Sequence, residues 1–128
     1  LMLDIDHFKV VNDTYGHACG DRALQEFAKV VQGAVREADL VARYGGEEFV
    51  VALPETSLPG SGYLAERIRH AVEAIELEAD DGRMVRFTTS IGGTHLLDEN
   101  DDTEKALSRA DKALYEAKNS GRNRVVFH

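Results

Sequence analysis

The chain has 128 residues, 43% of them hydrophobic, which suits one domain with a core of its own; a single cysteine, Cys19, excludes an internal disulfide and a thiolate zinc cluster. Fifteen Lys and Arg stand against 23 Asp and Glu, and the formal net charge of -8 makes a nucleic acid polymer an unexpected partner. No apolar run approaches the roughly 20 residues that span a bilayer, so no membrane contact is expected of this domain.

Residues 1 to 6, Leu-Met-Leu-Asp-Ile-Asp, read as a buried strand with no signal-peptide layout or linker ahead of it, as in a domain cut at its front edge. After Gly20, the spacing of Leu24, Phe27, Ala28, Val31 and Val35 predicts a helix. Leu40 to Arg43 and Glu48 to Leu53 are short strands whose Gly45-Gly46 connection, tolerant of positive φ, predicts a tight hairpin. Leu64, Ile68, Ala71, Val72 and Ile75 mark a second helix that ends in the Asp80-Asp81-Gly82 turn, and Val85, Phe87, Thr89 and Ile91 alternate as a strand. Thr103 is placed to cap a third helix with Ala106, Leu107, Ala110, Ala113, Leu114 and Ala117 inward and Gly121 as its stop, and Val125 to Phe127 close the chain as a strand. The order β-α-β-β-α-β-α-β predicts an α+β fold of ferredoxin-like, palm type: about five mainly antiparallel strands flanked by helices.

Asp4 and Asp6, at i and i+2, lie on one side of the first strand at its C-terminal end. Mg²⁺ prefers hard oxygen ligands and uses few protein carboxylates beside substrate phosphates, so such a pair is a plausible anchor, although a solvated strand end has the same pattern. Arg43-Tyr44-Gly45-Gly46-Glu47-Glu48-Phe49 adds two acids directly after glycines that let a phosphate approach the backbone. Two acids after the glycines and two more at the strand end together suggest a two-metal phosphoryl-transfer site. The acidic run Asp98 to Asp102 lacks the spaced ligands and turn glycine of a calcium loop and reads as a solvated loop.

In its GGEEF hairpin, together with Asp4-Ile5-Asp6-His7-Phe8-Lys9, Asn12-Asp13, Gly16-His17, Gly20-Asp21, Ser90-Ile91-Gly92, Ala110-Asp111, Ala113-Leu114-Tyr115, Ala117-Lys118 and Gly121-Arg122-Asn123, the chain resembles the GGDEF family of diguanylate cyclases over essentially its whole length. By that resemblance, residues 1–128 are a single such domain without the family's N-terminal helix. The resemblance implies two Mg²⁺ per site, with Mn²⁺ able to substitute, held by Asp4, Glu47, the Ile5 carbonyl and Glu48; Glu47 doubles as candidate base. Asn12 and Asp21 match guanine-reading positions, Phe8, Gly45 and Gly46 line the substrate, and Lys9, Lys118 and Arg122 match phosphate-contacting positions. Without the resemblance, Asp21 reads as a helix-start residue, and Lys118 and Arg122 as a charged helix end.

Arg36-Glu37-Ala38-Asp39 matches the family's RxxD product-inhibition motif, and Arg67 the arginine that a partner subunit supplies to it. The resemblance thus implies a homodimer that joins two GTP into cyclic di-GMP, inhibited by its product and governed by an upstream sensor domain. The domain is expected in the cytoplasm, whether or not the parent protein is membrane-anchored. The rival readings are a catalytically inactive cyclic di-GMP receptor, against which the intact acids and the Asn12 and Asp21 pair stand, and a cyclase specific for another base.

Overall fold

The computed structural model describes residues 1–128. Strand β1 (Met2–Ile5) is followed by helices α1 (Phe8–Tyr15) and α2 (His17–Ala34), the hairpin β2 (Leu40–Gly45) and β3 (Glu48–Ala52), and helix α3 (Leu58–Glu73). A two-stranded excursion, β4 (Leu77–Glu78) and β5 (Met84–Val85), precedes β6 (Thr89–Gly93), α4 (Thr103–Asn119) and β7 (Val125–Phe127). The main sheet runs β2-β3-β1-β6-β7, antiparallel throughout except that β6 and β7 are parallel across the α4 crossover. The inner order β6-β1-β3-β2 is the ferredoxin-like arrangement that the alternation of elements predicts, with β7 added at one edge. No helix is long and apolar enough to cross a membrane.

Period-two burial splits β1 between two cores. Leu3 and Ile5 join Phe49, Val51 and Ile91 under Phe27 and Val31 of α2 and Ile68 and Val72 of α3. The Phe27 and Phe49 rings meet at 5.0 Å and 53°, a tilted pair of the kind that adds to simple area burial. On the opposite face, Met2 meets Ala110 and Leu114 of α4. There the approach is closest at Gly92, where an added Cβ would lie 2.2 Å from both the Ala110 carbonyl oxygen and the Leu114 amide nitrogen. Because both obstacles are backbone, Gly92→Ala must push α4 off the sheet. A loss of about 3 kcal/mol or more is expected in denaturant titration, at the high end of overpacking costs.

The observed boundaries differ from the expected ones for local reasons. Helix α1 escapes periodicity because its eight residues bury only Val11, and α2 begins at His17, three residues ahead of Gly20. Helix α3 stops at Glu73; Ile75, Leu77 and Ala79 continue its apolar pattern, yet they alternate with exposed residues as an extended segment does. The stretch expected as one strand from Val85 to Ile91 is divided, with β5 pairing to β4 and only β6 entering the main sheet. The cap of α4 is Asp102, whose Oδ1 accepts the Lys105 amide at 2.8 Å, rather than Thr103. Nor is the acidic loop merely solvated: Asp101 accepts two bonds from Arg109, at 3.0 and 2.5 Å, which close the loop onto α4.

Candidate active site

Cross-strand register builds the site from the end of β1. Asp4 lies opposite Glu48 of β3 on one side and Ser90 of β6 on the other, so its carboxylate shares a face with Glu48. The reversal of the hairpin falls on Gly46 and Glu47, one residue later than the glycine pair suggests, because Gly45 still pairs with Glu48 beyond a bulge after Arg43. Gly46 takes φ 38°, and Arg43 Nε donates to its carbonyl at 2.9 Å. The Ile5 amide donates to the Glu47 carbonyl at 3.4 Å, tying the turn to the end of β1 and bringing Asp4, Glu47 and Glu48 to one place.

The charge gathered there is only partly answered. Asp4 is 4% exposed, and burial pushes its pKa up to about 6; Lys118 opposes that shift, while Glu47 and Glu48 add to it. Lys118 Nζ donates to Asp4 Oδ2, and Asp4 Oδ1 is buried with no hydrogen-bond partner. An orphaned carboxylate oxygen carries a full desolvation cost, and a hard cation relieves it. No group of three acids, histidines or cysteines lies close enough together to hold a metal ion by itself. The unpartnered Asp4 oxygen, with Glu47 and Glu48 nearby, suits a divalent ion as a donor. Asp6, the other half of the expected carboxylate pair, does not: its oxygens accept Ser90 Oγ and Thr88 Oγ1, both at 2.7 Å, and the Asn123 amide at 3.0 Å.

Helices α1 and α2 meet at Gly16, φ 92°, and fold against each other. A Cβ on Gly20 would fall 1.7 Å from Asn12 Oδ1 and 3.5 Å from Phe8 Cζ, so the bare backbone of α2 is the surface on which Asn12 rests. Asp21 follows at once, exposed and within α2 rather than at its start, and Lys9 is exposed on α1. The Asn12 amide oxygen against Gly20 and the exposed carboxylate of Asp21 offer two acceptors on neighbouring positions. Lys118 lies in the last turn of α4 and Arg122 in the loop beyond it; the first is engaged with Asp4, the second is exposed.

A second cluster forms where α2 ends. Asp39, its side chain wholly buried, accepts from the Arg36 amide at 2.8 Å, from Nε at 3.2 Å and from Nη2 at 2.8 Å. Those bonds hold the Asp39 carboxyl below the usual range and raise the Arg36 guanidinium. Arg36 also donates to the Pro54 carbonyl at 2.9 Å and to Thr56 Oγ1 at 2.6 Å. Arg67 donates to the Ala34 carbonyl, so Arg36, Asp39 and Arg67 are gathered at one end of the molecule. Strand β2 separates them from the hairpin turn by about 20 Å at 3.3 Å per residue. Asp39 is not free to accept from a ligand until Arg36 swings away, a closure that an R-x-x-D string does not reveal. Sequence reasoning also misses Thr88 and Arg69 and gives no role to Ser90 or Asn123: Thr88, Ser90 and Asn123 meet at Asp6, and Arg69 reaches Asn123.

A family model described as "Diguanylate cyclase, GGDEF domain" matches residues 1–124. Diguanylate cyclase A of Treponema denticola is 50% identical over 127 residues, which cover 99% of this chain and 34% of that protein. The diguanylate cyclase SiaD of Pseudomonas aeruginosa, solved in complex with its activator SiaC, superposes with a TM-score of 0.92 at 43% identity, over 99% of this chain and 48% of that one. The GGDEF domain of DgcB from Caulobacter crescentus, solved in complex with c-di-GMP, gives 0.93 at 35% identity, over 98% and 74%. The chain thus spans about a third of the length of the curated relative described.

Proposed function

The chain belongs to the GGDEF domain family, and from that premise we propose that it condenses two GTP into cyclic di-GMP and two pyrophosphates. The observation that carries the reading is the buried Asp4, with one oxygen unpartnered, set against Glu47, Glu48 and Lys118 at the end of β1. Divalent cations held by Asp4, Glu47, Glu48 and the Ile5 carbonyl, magnesium or manganese, would neutralise charge at the transferred phosphorus and acidify the attacking hydroxyl. Asn12 and Asp21 accept from the guanine edge, with Phe8 packed beside Asn12. Lys9, Lys118 and Arg122 hold the phosphates, and the backbone at Gly45 and Gly46 lets them approach the hairpin. The 3′-oxygen of one GTP attacks the α-phosphorus of the other, its bond to the β-phosphate breaks, and pyrophosphate leaves. The hydroxyl proton passes to Glu47 or to water.

One site holds one GTP, so two domains face each other as a homodimer, and each supplies the nucleophile for the other's substrate. An upstream sensor domain in the parent protein sets that encounter, in the cytoplasm where GTP is available. Asp21→Ala, on an exposed helical position that leaves the core intact, removes one acceptor from the base. The preference for GTP over ATP should fall by about 10² in kcat/KM, the upper scale for loss of one hydrogen bond to a charged group. An unchanged ratio removes Asp21 from base recognition.

Product inhibition is the proposed work of Arg36, Asp39 and Arg67. A guanine and its phosphate, presented there, exchange the Arg36–Asp39 pair for contacts of their own, and binding between two domains holds them in an unproductive orientation. Arg36→Ala is expected to raise the inhibition constant by about 10²-fold or more, since a bidentate guanidinium contact is lost. Steady-state rates at rising cyclic di-GMP read the effect, and an unmoved constant refutes the site.

A further inference from the structure

Beyond the end of α4, two successive residues other than glycine adopt left-handed backbone: Arg122 with φ 62° and Asn123 with φ 46°. Each such residue is strained and persists only where its surroundings over-determine it. Here they do. The Arg122 amide donates to the Ala117 carbonyl at 3.0 Å, closing α4, and the Arg122 carbonyl accepts Arg124 Nε at 3.1 Å. The Asn123 amide donates to Asp6, which is 5% exposed and itself fixed by Thr88 and Ser90. The Asn123 side chain is clasped from α3, its Oδ1 accepting Arg69 Nη1 at 2.9 Å and its Nδ2 donating to Glu73 Oε2 at 2.5 Å. Arg69, with a side chain only 14% exposed, is braced in turn by two bonds to Glu66. Every backbone and side-chain group named in this loop is tied down, while the Arg122 guanidinium is left to solvent.

We infer that Asn123, clasped by Arg69 and Glu73 and anchored by Asp6, is a positioning residue that presents the Arg122 guanidinium to the phosphates of the bound nucleotide. The inference rests on the proposed reading of Arg122 as a phosphate contact. It also gives Asp4 and Asp6 separate duties at one strand end. Asp4 meets Lys118 in the last turn of α4, and Asp6 holds the loop that carries the second cation.

Calorimetric titration of GTP into the native protein, Arg122→Ala, Asn123→Gly and the double variant tests this without requiring turnover. Glycine accepts the left-handed backbone and keeps the amide bond to Asp6, so only the clasp is removed. Arg122→Ala should weaken GTP about 10-fold, as loss of a charge-assisted phosphate contact does. Asn123→Gly should weaken it about fivefold in the native background and less than twofold on Arg122→Ala, the non-additivity of residues that act through one another. Equal weakening in both backgrounds, or none in the native one, overturns the positioning role while leaving Arg122 its contact. GTP affinity unchanged in Arg122→Ala overturns both. If Asn123→Gly does not fold, Arg69→Met, which removes the donor to Asn123 Oδ1 from the α3 side, carries the same cycle with the same criteria.

Discussion

Glu47→Ala is expected to lower turnover by about 10³-fold, the scale on which a charge-stabilising group at a phosphoryl-transfer centre acts, and to leave the fold and the Arg36–Asp39 cluster unaltered. The expectation follows from what holds the turn. Gly46 supplies the positive φ, Arg43 donates to the Gly46 carbonyl, and the bond that ties the turn to β1 uses the Glu47 carbonyl, not its side chain. Alanine at position 47 therefore removes a carboxylate from the site while the backbone contacts of the hairpin persist. Turnover of GTP and equilibrium binding of cyclic di-GMP separate the two sites, the first lost and the second kept. Turnover within a factor of ten of the native rate excludes Glu47 from the chemistry.

Asp4→Asn should have opposite effects on activity and stability. The Asp4 pKa of about 6 in the folded chain exceeds the roughly 3.9 of an unfolded aspartate, so folding takes up a proton between those values. The group's contribution to stability is thus most favourable below about pH 4 and declines as pH rises through 6. Above that, the ionised carboxylate is held against its desolvation and against Glu47 and Glu48, and Lys118 does not fully offset them. Asparagine keeps the shape without the charge. The ligand-free variant should melt about 2–6 °C above the native chain at pH 7.5, an advantage that vanishes near pH 4, while turnover falls by about 10³-fold. A lower melting temperature at pH 7.5 would mean that the Lys118 pair outweighs burial, and that the site is not held in a state poised for a cation.

Much of this was legible in the sequence because several levels agreed. The apolar run at residues 1 to 6, the helical periodicity of residues 24 to 35 and the two glycines of the hairpin agree on one succession of elements, and the ferredoxin-like arrangement follows from it. The acids of the site were legible by type and position, but not their separate states. Asp4 and Asp6 look equivalent as i and i+2 carboxylates, and only the neighbours brought by β6 and by the loop after α4 leave one orphaned and the other saturated. The Arg36–Asp39 closure was hidden for a similar reason, since Pro54 and Thr56 reach Arg36 from beyond the hairpin. Left-handed backbone at Arg122 leaves no compositional trace either. Asn123, a residue type enriched in that region, was its only local signal.

The reading of the site as half of a cyclase is tested most directly by mass-spectrometric analysis of all nucleotide, free and protein-bound, after incubating the domain with GTP and magnesium over a range of protein concentrations. Cyclic di-GMP and pyrophosphate should form, with a yield that rises faster than linearly with protein, as two facing domains require. Added cyclic di-GMP that stays bound while no GTP is consumed at any concentration would contradict a catalytic role and make this domain a receptor for that dinucleotide.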